Sequence, residues 1–145
     1  MASVRWEIGT PESVMTTELN SLADAGRVLG SEINNTTNFY LFDDVELYIA
    51  ALGFTPAVGS VVELYLIRRN LDDGAYEDGD ASITPPSTNL VGTFNIRNNS
   101  AAQTHIIRQI PLPPSKYKYL VVNGTGGTLA SSGNILKHLP YRYQT

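Results

Sequence analysis

Val62-Glu63-Leu64-Tyr65-Leu66 sets an apolar side chain at every second position, with Glu63 and Tyr65 between. That period sends alternate side chains to opposite faces of a β-strand. Val45, Leu47 and Ile49 repeat it against Glu46 and Tyr48, and Val4, Trp6 and Ile8 repeat it against Arg5 and Glu7. It returns at residues 90–96, 105–112, 116–123 and 135–143, and more faintly at 27–33. Together these make about eight strands, each with one buried face.

The residues between the strands have turn chemistry. Gly53, Pro56 and Gly59 separate two strands, and Asn123-Gly124-Thr125-Gly126-Gly127 supplies the backbone angles and local hydrogen bonds of another turn. Pro111-Leu112-Pro113-Pro114-Ser115 predicts a hairpin or a tight corner, because proline cannot donate to a ladder. The one helix candidate runs from Thr17 to Ala25, with Leu19, Leu22 and Ala23 on one face and Gly26 to close it. The expectation is a single all-β domain over residues 1–145, a two-sheet antiparallel β-sandwich of jelly-roll type with one short helix. Residues 1–15 stand apart as a candidate N-terminal arm.

Composition narrows the function classes. The chain has 145 residues, a 42% hydrophobic share and 17% charged residues, which suits one folded core rather than disorder. Ten Lys and Arg against 14 Asp and Glu give a net charge of −4, a poor match for a phosphate backbone, so no nucleic acid is expected as partner. The absence of cysteine removes disulfides, thiolate metal sites and thiol nucleophiles together. No apolar run approaches the roughly 20 residues of a membrane helix, and the first residues lack the apolar core of a secretory signal. A soluble cytoplasmic product is expected.

The motif search yields little chemistry. His105 and His138 fall in strands without the spacing of a metal motif and are expected to be structural or surface residues. Ser131-Ser132-Gly133 reads as a loop rather than a nucleophile elbow. The sequons at Asn34, Asn35, Asn98 and Asn123 are taken as chance. The acidic stretch Asp72-Asp73-Gly74-Ala75-Tyr76-Glu77-Asp78-Gly79-Asp80 lacks the spacing of known calcium loops. Its Asp-Gly steps read as turns, and its position in a long segment without periodicity makes it a candidate contact surface. No catalytic residue, metal or cofactor is assigned. The candidate interface comprises Asp72, Asp73, Tyr76, Glu77, Asp78 and the tyrosine pairs Tyr117, Tyr119 and Tyr141, Tyr143, since tyrosine serves sheet faces and interfaces alike.

Residues 16–22 (Thr-Thr-Glu-Leu-Asn-Ser-Leu), the strand Asp44-Val45-Glu46-Leu47, the segment 60–66 with the acidic Tyr-containing loop after it, Pro85-Pro86-Ser87, and the run Ile110-Pro111-Leu112-Pro113-Pro114-Ser115-Lys116-Tyr117-Lys118 together resemble a group of small virion proteins of tailed bacteriophages. The resemblance runs from about residue 13 to the end and includes Ala130-Ser131-Ser132-Gly133-Asn134-Ile135-Leu136-Lys137. It implies a capsid decoration (cement) role on the capsid exterior, with the major capsid protein as partner and a homotrimer as the expected assembly. It transfers no catalytic residue. A tail or fibre component and a carbohydrate-binding module that stacks Tyr or Trp on a sugar are the alternatives.

Overall fold

A computed structural model describes residues 3–144. Ten strands follow one another: β1 (Arg5–Ile8), β2 (Glu12–Met15), β3 (Arg27–Leu29), β4 (Ile33–Asn34), β5 (Phe42–Ile49), β6 (Val61–Arg68), β7 (Leu90–Asn95), β8 (Gln103–Pro111), β9 (Lys116–Gly124) and β10 (Ile135–Gln144). They form two antiparallel sheets. In the first the order is β1-β10-β5-β8, with β2 also on β10; in the second it is β3-β9-β6-β7, with β4 also on β9. β1 and β2 share one edge of β10, as β3 and β4 share one edge of β9. Counting each split edge once gives four strands per sheet and a chain that crosses repeatedly between them, the jelly-roll arrangement.

The split edges have a local cause. Gly9 N–H donates to the Pro140 carbonyl at 2.7 Å. Pro140 therefore turns its missing N–H to that same edge, at the point where β1 has ended and β2 has not begun. Gly30, Ser31 and Glu32 interrupt the expected 27–33 strand, where the Ser31 N–H turns away to the Val14 carbonyl, leaving β3 and β4.

Alternation holds as expected. Val45, Leu47 and Ile49 of β5 and Leu136 of β10 face Val62, Leu64 and Leu66 of β6, Phe94 of β7 and Tyr117, Tyr119 and Val121 of β9, all buried in one core. Full burial of one such aliphatic side chain contributes about 1.5–3 kcal/mol, so the strand registers are strongly specified: a one-residue slip would turn each set to the other face.

Two expectations need correction. The 17–25 helix does not form: Asn20 and Leu22 make successive i+3 turn bonds, while Ser21 and Ala25 take φ of 58° and 60°, which a right-handed helix excludes. Leu19 is instead fully buried, and the buried Asn123 donates to the carbonyls of Leu22 and Ala23, so tertiary bonds hold this segment. Helical backbone among the described residues is limited to a 3-10 turn at Ser87–Asn89. Of the two forms expected for the 111–115 segment it takes the tight corner, because β8 and β9 belong to different sheets. The described part of the 1–15 arm is not detached, since β1 and β2 both pair with β10.

Candidate functional site

The two sheets differ on their outer faces. On the second sheet Leu120 and Ile67 have outward parity, yet both are fully buried. The 70–89 segment covers them: a Cβ built on Gly79 would stand 3.1 Å from Leu120 Cδ1 and 3.2 Å from Ile67 Cδ1, so a side chain there would force these methyls or the loop to give way, and glycine suits the close approach. Tyr76 fastens the loop by donating its hydroxyl to Glu32 at 2.6 Å, with Lys118 Nζ 4.5 Å from its ring centre. That hydrogen bond, with Lys116 and Arg69 adding positive charge, holds Glu32 below the usual carboxylate range.

The acidic loop is thus a cover for its own sheet. Tyr76 is half-buried and anchors the loop to Glu32. Asp72, Asp73, Glu77 and Asp78 remain exposed. Asp73 Oδ1 accepts the Ala75 amide at 2.9 Å and Asp80 Oδ1 accepts those of Ser82 and Ile83, the bonds of ordinary Asx turns. Among the described residues no group of three or more His, Asp or Glu is placed to hold a metal ion.

The outer face of the first sheet is bare. Trp6 and Ile8 of β1 lie opposite Tyr143 and Tyr141 of β10, Tyr141 lies opposite Phe42 of β5, and Phe42 opposite Pro111 of β8. Trp6 is 51% exposed, Tyr143 50% and Ile8 62%. The rings pack on one another: Trp6 and Tyr143 are 4.3 Å apart between centres, and Tyr141 meets Trp6 edge-on at 5.3 Å. Tyr48 and Ile106 are further exposed apolar residues of outward parity on this sheet, set apart from the ring cluster by Asp44 and Glu46.

Asp44 organises the polar part of this face. Its Oδ1 accepts the Tyr141 hydroxyl and the Gln109 amide, both at 3.0 Å, and its Oδ2 pairs with Arg108 at 3.1 Å. Burial, then the bond to Asp44, push the Tyr141 hydroxyl up to about 12. Gln109, at φ 57°, is the kink that brings its amide to Asp44. A shallow hollow of about 190 Å³ lies between Trp6, Ile8, Asp44, Leu139 and Tyr141.

Between the sheets sits a buried polar group that the strand pattern alone does not reveal. Asp43 of β5 is fully buried; its Oδ2 accepts the Tyr119 hydroxyl at 2.6 Å and the Tyr117 hydroxyl at 3.4 Å, and lies 3.0 Å from His138 Nδ1. Burial, then the Asp43 charge, raise both tyrosine hydroxyls well above their ordinary range. Tyr117 and Tyr119 are therefore core residues, and their assignment to an interface is corrected: inward parity at these two positions turns the rings to Asp43. His138 Nε2 points the other way, 4.0 Å from Glu12 Oε2, into a polar cleft of about 350 Å³ that also involves Ser31, Asn35 and Tyr40. An imidazole oriented by a buried carboxylate can exchange a proton with a cleft occupant, but the Ser31 hydroxyl is committed to the Val14 carbonyl at 3.2 Å. His105 lies instead beside Gln103 at 2.8 Å, and burial, then Arg97, lower its titration point. Inward parity of an Asp and a His on neighbouring strands was the one sequence signal for the buried group.

No family model and no curated protein matches the chain. Among solved structures it is similar to the CBM36-1 domain of a multidomain xylanase from the hindgut metagenome of Trinervitermes trinervoides, at 13% identity over 92% of this chain and 96% of that one, with a TM-score of 0.47. It is also similar to a chain of infectious bursal disease virus Gx strain, at 12% identity over 95% of this chain and 32% of that one, TM-score 0.44. A further likeness is to TmCBM61 in complex with beta-1,4-galactotriose, at 9% identity over 96% and 87%, TM-score 0.33. At these values none of the three bears on ligand or partner; the fold rests on the strand order itself.

Proposed function

We infer that this chain is a structural binding domain of a virion that docks on the major capsid protein shell through the outer face of the β1-β10-β5-β8 sheet, in a decoration role. The observation that carries the reading is the bare aromatic surface around Trp6 and Tyr143, set against the covered outer face of the other sheet. Contiguous exposed apolar surface with aromatic anchors is the chemistry of a protein interface. The sequence resemblance supplies the shell as the partner, and a sandwich stable without disulfides suits a part that must dock preformed.

A second reading, a sugar ligand, is favoured by the hollow beside Trp6, whose 190 Å³ would admit one sugar ring with an aromatic wall. Against it, both Asp44 oxygens are already engaged, and one face of Trp6 is covered by Tyr143.

The test uses particles lacking the protein. Adding back the native chain restores DNA retention under heat or low salt, whereas Tyr143→Asp, which folds normally because Tyr143 is half exposed, does not bind. Heads that hold DNA equally well without the chain, or a chain found only in tails, reject the decoration role. Glycan binding lost on Trp6→Ala would favour the sugar reading.

A further inference from the structure

The free edge of β1 is self-complementary. Gly9 donates to Pro140, and hydrogen-bonded pairs alternate along an antiparallel ladder, so Glu7 and Arg5 turn their peptide groups toward β10 while Val4, Trp6 and Ile8 turn theirs outward. Among the described residues β1 is paired on one side only. The opposite edge of the same sheet, β8, is interrupted by the positive-φ residue Gln109 beside Arg108, which are devices that discourage edge-to-edge pairing. β1 has no such kink and keeps an unbroken register over its four pairs, and its two charges are of opposite sign.

We propose that two copies of this chain join through β1, antiparallel about a two-fold axis at Trp6, to make one continuous sheet. In that register Trp6 meets Trp6, Val4 meets Ile8, and Arg5 meets Glu7 of the second copy. The residues that turn their peptide groups outward are the ones that pair with each other, so every outward N–H and C=O from 4 to 8 finds a partner. Arg5 and Glu7 occupy the non-hydrogen-bonded sites, where opposing side chains come closest. Arg5 is exposed and makes no ion pair among the described residues, and Glu7 holds Arg142 through Oε2, leaving Oε1 to receive Arg5. On the outer face the rings then run Tyr143, Trp6, Trp6, Tyr143 across the seam, so the two aromatic surfaces merge. A register shifted by one residue would set Trp6 against Glu7 and leave the outward peptide groups unmatched. The contact is isologous and closes on itself, and it is independent of the docking reading.

Sedimentation of the full chain in solution, with no capsid present, reads the proposal directly. The native chain sediments at twice the chain mass. Trp6→Lys and Trp6→Glu, each placing like charges together at the axis, sediment as folded monomers with unchanged circular dichroism. An equimolar mixture of the two sediments again as a dimer, because Lys now faces Glu; that rescue belongs to a two-fold at residue 6 alone. A native chain that stays monomeric, a trimer indifferent to both substitutions, or a mixture that remains monomeric overturns the proposal.

Discussion

The Tyr119 hydroxyl reaches across the sandwich to Asp43 Oδ2 at 2.6 Å, joining β9 of one sheet to β5 of the other inside the core. Tyr117 and His138 converge on the same oxygen, while Asp43 Oδ1 is buried without a partner. A carboxylate so enclosed stabilises the fold only through the groups that meet it, and each becomes a liability when its partner is removed.

Asp43→Ala is expected to cost about 3–5 kcal/mol, since it strands two hydroxyls and an imidazole in the core, and Tyr119→Phe about 1–3 kcal/mol. Urea unfolding measures both, and the double variant should lose less than the sum because the two side chains act on one bond. An Asp43→Ala midpoint near that of the native chain would refute the pin.

Alkaline titration should unfold the protein. Tyr65, raised to about 12 by burial and then by Glu63, and Tyr141, raised to about 12, together with Tyr76, Tyr117 and Tyr119 higher still, each favour the neutral phenol in the folded state. Raised values give stability that is complete below the unfolded tyrosine value of about 10 and is lost as pH rises through the folded values. At pH of about 11 the native protein should therefore show fewer ionised tyrosines by ultraviolet absorbance than the same sample in denaturant. Equal absorbance in the two would contradict the buried arrangement.

Calcium is expected to leave the melting temperature unchanged, because the loop carboxylates of Asp73 and Asp80 serve their own turns. Asp78→Ala should then shift stability by less than about 0.5 kcal/mol. A calcium-dependent rise that disappears in that variant would show a site, since a ligand of the native state must stabilise it.

Asn123 provides a fourth measurement. Its Nδ2 donates to the carbonyls of Leu22, Ala23 and Gly127, and its Oδ1 accepts the amide and hydroxyl of Thr125. Asn123→Asp should destabilise more than about 2 kcal/mol by turning an acceptor on carbonyl oxygens, and more than Asn123→Ala. The reverse order in thermal unfolding would show that the bonds matter less than the volume.

By itself the sequence determined most of the strands, the alternation along them and the two-sheet class, because period-two alternation is a local property that each strand states alone. It also determined the charge pattern around Trp6. Only the tertiary structure decided that residues 17–25 are turns, since Leu19 is drawn into the core and Asn123, from a distant part of the chain, binds the Leu22 and Ala23 carbonyls. It alone decided that Tyr117 and Tyr119 serve Asp43 while Tyr141 and Tyr143 stay at the surface, and that the acidic loop covers one sheet while the other remains bare. Parity places each tyrosine on one side of its strand, but which side faces the core is set by the opposite sheet, through contacts between strands far apart in the chain.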